Sequence, residues 1–376
     1  MVEVIYFDHS ATTKANSHVI KQFVIDNEEL FANSNSLHKF GKEATIKLFE
    51  ASNSIKNTLG LKDYDIVFTS GATESNNLAI KGIAEARFTQ GKKIITSPFE
   101  HSSITSCLNY LAKKGYQIDV LDIDDEGLVD LEELKQLLTA DTVLVTIGAV
   151  NSETGITQDI DSISKIIKEY PNAIFHSDMT QAIGKVNLNF STVDLISFSA
   201  HKFYGLKGIG GLFVRNNVVL TQQIHGGKSF SKYRAGTPAL PLILSIKNAL
   251  DSAYKNFDEK LKKIKVLHDY LLSNLRLIDN VVINSNSHSI EQIVNVSFLD
   301  ILATKLHKLL SEKEIYVSTT TACSSDRPMS LTIKRLSGSI ELAETSIRIS
   351  LSHLNTIDEV KILIKSIKDI ILNQTR

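Results

Sequence analysis

The sequence predicts an α/β protein with a mostly parallel central sheet, helices on both faces of that sheet, and a smaller α+β domain. Three observations carry this expectation. From about residue 60 to residue 215, short β-rich runs alternate with segments of helical periodicity, the pattern of parallel strands joined by helical crossovers. Near Leu240 the pattern changes to long helical segments, in which Leu261, Ile264, Leu267, Leu271 and Leu275 form one apolar stripe at three-to-four spacing. Beyond that stripe, strands and helices mix. At 376 residues the chain can hold one large domain and one smaller one. The expected division assigns residues 14–255 to the large domain, with 1–13 and 256–376 in the small one.

Taken in order, strands are expected at 65–69, 93–96, 117–121, 142–147, 173–176, 193–198 and 210–214, each a short β-rich run. Helices fill most of the gaps, at 74–87 after the first strand, 102–113 after the second and 159–169 before the fifth. In the second part, strands at 281–283, 292–298 and 346–350 are joined by helices at 301–310 and 357–372. No internal repeat or low-complexity linker interrupts the pattern.

Forty-one basic side chains against forty-two acidic ones leave a formal charge of -1. That balance gives no global electrostatic case for nucleic acid or an anionic membrane, and no direct nucleic-acid binding is expected. No apolar run reaches the roughly 18 residues of a membrane span, and the start, Met1-Val-Glu-Val-Ile-Tyr-Phe-Asp8, lacks the order of a signal peptide. A cytoplasmic protein is expected. Cys107 and Cys323 lie too far apart for a disulfide framework or a zinc spacing, which fits a reducing compartment and no metal.

The residues that carry chemistry follow the strands. The apolar run ending at Ser199 leads into Ala200-His-Lys202, and Asp178 lies one strand earlier in His176-Ser-Asp178-Met-Thr-Gln181. A lysine after a buried strand, with a carboxylate one strand away, meets the needs of a pyridoxal phosphate enzyme: an amine for the Schiff base and an acid for the pyridine nitrogen. Gln181 is suited to the ring hydroxyl, and Ser199 and His201 to a phosphate. The turn Ser70-Gly71-Ala72-Thr73 opens a helix, where backbone N–H groups and the Thr73 hydroxyl suit an anion; the competing reading is an ordinary helix start capped by Ser70 or Thr73. His101 ends another strand, where its ring can lie over a cofactor or move protons. Thr73, His101, Asn151, Asp178 and Lys202 all follow candidate strands, the place where open α/β sheets bind ligands.

Three tempting motifs fail. Gly205-Leu-Lys-Gly208-Ile-Gly210-Gly211 has Phe213 where a dinucleotide loop needs its last glycine, and it precedes a strand. Gly226-Gly-Lys-Ser229 has Gln222 in place of the first glycine of a phosphate loop. Asp122 to Glu133 approaches a calcium loop, but a β-rich run precedes it and Asp130 with Glu133 reads as a capping pair opening a helix. Cys107 sits on a helical stripe with Ile104, Leu108 and Leu111, as an inert core thiol would. Cys323, by contrast, lies in Val317-Ser-Thr-Thr-Thr-Ala-Cys323-Ser-Ser, polar and without periodicity, where a thiol is reachable. Arg348, in Thr345-Ser-Ile-Arg348, is suited to a substrate carboxylate.

Assembled, these residues resemble a cysteine desulfurase of the fold-type I, class V aminotransferase-related family over nearly the whole chain. The marks are Tyr6 to Thr13, Asn33 to His38, Thr69 to Asn76, Glu100-His101, Asn151 to Gly155, Asp178 to Gln181, Ser199 to Lys202, Arg234 to Thr237, Ala322 to Ser325 and Ser346 to Arg348. The resemblance implies a fold-type I transferase binding pyridoxal 5'-phosphate through Lys202, with Asp178 at the ring nitrogen, Gln181 at the ring oxygen and His101 stacked on the ring. It implies that Ala72, Thr73, Ser199 and His201 hold the phosphate, with Thr237 from the second subunit of a homodimer. Asn151 and Arg348 would hold the carboxylate of L-cysteine. Lys202 or His101 would remove the α-proton, and Cys323 as thiolate would take the sulfur, leaving L-alanine and an enzyme persulfide for a protein acceptor.

Departures from the family pattern refine this expectation. Thr319-Thr320-Thr321 precede Cys323 and Pro328 follows soon after, which implies a stiffer, shorter loop and a dedicated acceptor, in tRNA thiolation or iron–sulfur cluster assembly. Lys228 to Ser231 replace the usual glycine, glutamine and acid-arginine pattern, and Ser352-His353 stands where glycine-arginine is common. An aminotransferase, or a lyase on another β-substituted amino acid, remains the alternative that keeps the cofactor and makes Cys323 incidental.

Overall fold

Alternation along the strands decides the architecture. In successive strands Ile66, Ile95, Phe175, Ile196 and Phe213 join one apolar cluster, while their chain neighbours Val67, Ile94, Ile174, Leu195 and Leu212 join another. A sheet with both faces apolar must be covered on both, and helices cover it.

The structure, a computed structural model, describes residues 4–319 and 329–373. It begins with β1 (Ile5–Tyr6), α1 (Ser17–Glu29), α2 (Lys39–Thr58), β2 (Tyr64–Thr69), α3 (Ala72–Ala86), β3 (Lys93–Thr96), α4 (Ser102–Ala112) and β4 (Gln117–Val120). There follow α5 (Leu131–Leu137), β5 (Thr142–Thr146), α6 (Ile160–Ile167), β6 (Ile174–Asp178), β7 (Leu195–Ser199), β8 (Gly210–Arg215), α7 (Leu240–Tyr254) and α8 (Phe257–Leu275). The chain closes with β9 (Val281–Ile283), β10 (Ile293–Phe298), α9 (Ala303–Ser311), β11 (Ile315–Tyr316), α10 (Leu331–Ser337), α11 (Ile340–Thr345), β12 (Ser346–Ser350) and α12 (Ile357–Leu372).

Seven strands form the large sheet in the order β2-β8-β7-β6-β5-β3-β4. Only β8 runs against its neighbours. The mostly parallel sheet with helices on both faces is the architecture expected, and the strands stand within two residues of their expected bounds. Helices α3 and α4 lie on one face; α2 and α6 lie on the other, where α7 packs on α1 and α2. A second core gathers Ile5 and Phe7 with α8, α9, α12, β10 and β12, using Ile264, Leu267, Leu271 and Leu275 of the predicted stripe. There β12-β10-β9 form an antiparallel sheet, and β1 pairs with β11.

Helices α1, α2, α10 and α11 and the short strands β1 and β11 lie where no element was expected. The signal for α2 is Ala44, Leu48, Ala51 and Ile55, all buried at three-to-four spacing, opened by His38, whose Nδ1 accepts from Gly41 N at 3.1 Å. Around Asp122 to Glu133 the expected cap is half right. Asp130 accepts from the amides of Glu132 and Glu133, but Glu133 Oε2 accepts from Asp122 N, at 2.6 Å, and so closes the loop in front of the helix.

The first residue of β8 sits between the ends of β2 and β7, opposite Thr69 and Ser199. A Cβ on Gly210 would stand 2.4 Å from the carbonyl oxygen of Phe198 and 2.8 Å from Gly71 Cα. Neither backbone atom can yield without moving a strand end. Gly210→Ala is therefore expected to cost about 1–3 kcal/mol of stability, read as a lower urea midpoint.

Candidate active site

Because six of the seven strands point the same way, their carboxyl ends meet at one edge of the sheet, and loops leaving five of them supply walls of a cavity of ≈ 470 Å³. The loop after β2 brings Gly71, Ala72 and Thr73. The loop after β3 brings Glu100 and His101, that after β5 Asn151, the end of β6 Asp178 and Gln181, and the turn after β7 His201 and Lys202 behind Ser199. Arg348 reaches the same cavity from β12. All of these except Gly71 and Glu100 were named from sequence as site residues. Thr237 is not among them; it borders a neighbouring cavity with Ser70, Gly208 and Phe230. Cys323, together with the stretch from Thr320 to Pro328 on which the expectation of a stiff loop rests, lies outside the described residues.

Lys202 donates from Nζ to the carbonyls of Ser10 at 2.6 Å and Ala11 at 2.8 Å. The segment that carries those carbonyls is latched to the lysine turn: Thr13 Oγ1 donates to His201 O at 2.8 Å and accepts from Tyr204 N at 2.7 Å. Tyr204 adopts φ 67, rare for a bulky residue, and is held there by Ser352 Oγ at 2.8 Å from its hydroxyl and by an edge contact with His353. The departure noted at Ser352-His353 thus has a local role. His201 lies within 3.1 Å of Thr12 Oγ1, and burial next to Lys202 pushes its imidazole down to about 4.

Asp178 accepts from Asn76 Nδ2 at 2.8 Å and from Thr180 N at 2.9 Å. Asn76 Nδ2 also reaches Ser103 Oγ at 2.9 Å, and that hydroxyl meets His101 Nδ1 at 2.9 Å. A chain of hydrogen bonds therefore runs Asp178–Asn76–Ser103–His101 and fixes the carboxylate and the imidazole to each other. Asn76 and Ser103 had no role in the sequence reading. Their only signal was position, Asn76 one turn into α3 and Ser103 one residue into α4, facing each other across the helix pair.

Glu100 is the other residue the sequence reading left without a role. It accepts from Ser97 Oγ at 2.6 Å and Gly148 N at 2.8 Å, and burial pushes its carboxyl up to about 7. It ties the His101 loop to the loop after β5. In that loop Asn151 Oδ1 accepts from the amides of Glu153 and Thr154 at 2.9 and 2.8 Å, so the amide nitrogen is the end left toward Phe99 and the cavity. Arg348, 1% exposed, pairs through Nη2 with Asp8 at 2.7 Å and through Nη1 with Ser152 O at 2.8 Å.

At the start of α3 neither Ser70 nor Thr73 caps the helix; Gly71 is the cap residue, at φ 152, and no side chain bonds the first amides. The anion-binding reading of this turn keeps its physical basis. Cys107 is buried, and burial raises its thiol to about 11, as an inert core cysteine requires.

Residues 5–363 match the family described as aminotransferase class-V, and the chain belongs to that family. Its relatives narrow the class. The cysteine desulfurase IscS of Dictyoglomus turgidum is 36% identical over 376 residues, spanning 99% of this chain and 95% of that one. Among solved structures, a NifS-like protein superposes with a TM-score of 0.92 at 34% identity, covering 98% of this chain and 99% of that one. A structure described as SspA in complex with cysteine superposes with a TM-score of 0.80 at 29% identity, covering 94% and 100%. Within the family this chain is a cysteine desulfurase.

Two residues before Asp178, His176 is fully buried between Thr146 Oγ1 at 2.8 Å and Ser197 Oγ at 2.9 Å, and burial lowers its imidazole to about 4. Unfolding frees it to its ordinary 6.5. Between those values the unfolded chain binds the extra proton, so the stabilisation is complete above pH 6.5 and is lost as pH falls toward 4. His9, His201 and His353 shift in the same direction. In urea titrations at stepped pH, His176→Gln is expected to flatten the acid slope of stability by up to about 1.4 kcal/mol per pH unit; an unchanged slope would mean that His176 titrates normally in the fold.

Proposed function

We propose that this chain uses pyridoxal 5'-phosphate held by Lys202 to convert L-cysteine to L-alanine, and that Cys323 carries the released sulfur as a persulfide to a protein acceptor. The observation that carries this reading is the convergence of the Lys202 amine, the Asp178 carboxylate and the Arg348 guanidinium on one cavity. Several features support the fit to the cofactor. A Cβ on Gly71 would stand 3.3 Å from Ser199 Oγ, in the space between the uncapped helix start and the strand end where a phosphate belongs. Thr180 Oγ1, buried and without a partner among the described residues, lines the same cavity. When bound, pyridoxal phosphate supplies the electron sink for carbanion chemistry at the amino-acid α-carbon.

The residues of the chain do the rest. Asp178, fixed by Asn76 and Thr180, is held to accept from the ring nitrogen. Ala72, Thr73, Ser199 and His201 supply the phosphate wall. Lys202 would hold the cofactor through its amine, which the Ser10 and Ala11 carbonyls orient toward the cavity as acceptors. His101, its Nδ1 engaged by Ser103, moves any proton at Nε2. Asn151 and Arg348 hold the substrate carboxylate; Arg348 Nε has no partner among the described residues and is the donor still to be satisfied. In the sulfur step the Cys323 thiolate attacks the substrate sulfur, the bond from sulfur to the β-carbon breaks, its electron pair passes to that carbon and a proton completes the methyl group. Overall, L-cysteine and the enzyme thiol become L-alanine and the enzyme persulfide.

The assembly is proposed as a homodimer in which Thr237 serves the partner's phosphate. Its support is that Thr237 is exposed and lines a neighbouring cavity instead of the Lys202 cavity, with Phe230, which exposed Phe49 meets at 5.2 Å. The division into a cofactor-binding domain, 14–255, and a small domain, 1–13 with 256–376, is supported by the second core. A cytoplasmic location is proposed with it; among the described residues no helix is long and apolar enough to cross a membrane. A dedicated acceptor, in tRNA thiolation or iron–sulfur cluster assembly, completes the reading.

Cys323→Ser is expected to keep the visible absorbance of the bound cofactor while losing both protein persulfide and alanine release, assayed side by side with wild type. Turnover of cysteine that survives this change would instead support a lyase or aminotransferase. Arg348→Lys keeps the charge but not the fork, and is expected to raise KM for cysteine by roughly 10- to 100-fold with a smaller effect on kcat, measured by alanine release.

A further inference from the structure

Behind the Lys202 cavity lies a second, small one of ≈ 20 Å³, and Ser10 lines both. Lys185 lines the small cavity at 8% exposure, and lysine is seldom buried so deeply without an acid beside it. Here the charged groups acting on it are cations, Lys202 and Arg348, the latter already paired with Asp8; His9, Lys260 and His353 line the same cavity. Burial and those neighbours hold its amine well below the usual lysine range. Its backbone is pinned as well, with Lys185 O accepting from Gln292 Nε2 at 2.8 Å and Gly184 before it at φ 74.

The side chain of Lys185 donates to Gln181 Oε1. The hydrogen bond that the amine donates to Oε1 and the Ser10 carbonyl, which can only accept, at the Nε2 end together set which way the Gln181 amide lies. The nitrogen end is left toward Ser10, whose carbonyl accepts from Gln181 Nε2 at 2.9 Å and from Lys202 Nζ at 2.6 Å. Nε2 carries two N–H groups; one is spent on Ser10, and the other is what Gln181 offers to the cavity it lines. The two ends of a glutamine amide have the same shape; the Ser10 carbonyl opposes a turned amide at one end and Lys185 opposes it at the other, so loss of Lys185 makes the turned form, which offers an acceptor, less disfavoured.

We propose that Lys185 is a positioning residue of the active site, which holds the Gln181 amide with N–H toward the Lys202 cavity so that it donates to the anionic ring oxygen of the cofactor. The proposal rests on the reading that Lys202 carries pyridoxal phosphate. It assigns the buried lysine a task that the reaction itself does not require of it, and makes the polarity of Gln181 a property of two residues.

The test is a visible-absorption pH titration of the cofactor-loaded enzyme without substrate, in wild type, Lys185→Met, Gln181→Leu and the double variant. Loss of the donor disfavours the anionic ring oxygen, so each single change is expected to raise the midpoint of the titration, by about one pH unit. The double variant is expected to match Gln181→Leu alone, because Lys185 acts through Gln181. Lys185→Gln, which retains an N–H donor without the charge and is a gentler change should Lys185→Met fail to fold, is expected to hold the midpoint near that of wild type. Shifts that add in the double variant, a Lys185→Gln midpoint as displaced as that of Gln181→Leu, or no shift in Lys185→Met would overturn the proposal. Lys202→Ala separates the two levels: if wild type lacks a visible band that this variant abolishes, the cofactor reading falls and the role of Lys185 with it, whereas a normal band with additive shifts rejects Lys185 alone.

Discussion

A buried guanidinium holds three distant parts of this chain at one point. Arg348 of β12 meets Asp8 from the segment after β1 and the carbonyl of Ser152 from the loop after β5, and its backbone exchanges hydrogen bonds with Ser318, just before the stretch that carries Cys323. Burying an arginine is tolerable only when its charge is paired and its donors are met, and removing one partner of such a pair costs about 3–5 kcal/mol. That contact joins β12 of the small sheet to the loop after β5 at the wall of the cavity. The same side chain lines the cavity that holds Lys202, so one residue both borders that cavity and ties the segment after β1 to the loop after β5.

The charges around the cavity follow one logic. His9, His201 and His353 are pushed toward neutrality by burial and nearby cations, and Lys185 is pushed the same way. Positive charge in the cavity wall is carried by Lys202, Lys207 and Arg348, the last paired with Asp8. Glu100, raised toward neutral pH, does not cancel it and serves to join two loops by accepting from Ser97 and Gly148.

Polar contacts tie the elements around the cavity to one another. The Asp178–Asn76–Ser103–His101 chain links β6, α3 and α4, and the pair Lys185–Gln181 links the closed side of the site to the Ser10 carbonyl. Each buried polar atom satisfied in this way has few alternative arrangements, because leaving it unpaired costs more than the bond itself contributes. Tyr204, held at positive φ by Thr13 and Ser352, shows the same stiffness at the level of the backbone.

The strands, the helices between them and the alignment of Thr73, His101, Asn151, Asp178 and Lys202 at strand ends were all legible in the sequence, because each depends on local periodicity and on the rule that parallel strands share a carboxyl edge. The family, too, was legible in its motifs. Helices α1, α2, α10 and α11 and the two-residue strands β1 and β11 were not legible, although α2 carries a regular apolar stripe, because no alternation of β-rich and helical runs sets their segments off. What only the tertiary structure decided are the pairings between residues far apart in sequence: Asp8 with Arg348, Asn76 with both Asp178 and Ser103, and the orientation of Gln181 by Lys185 against Ser10. No spacing encodes these contacts. They exist because the sheet closes two ends of the chain over one cavity, where polar groups cut off from water must find one another.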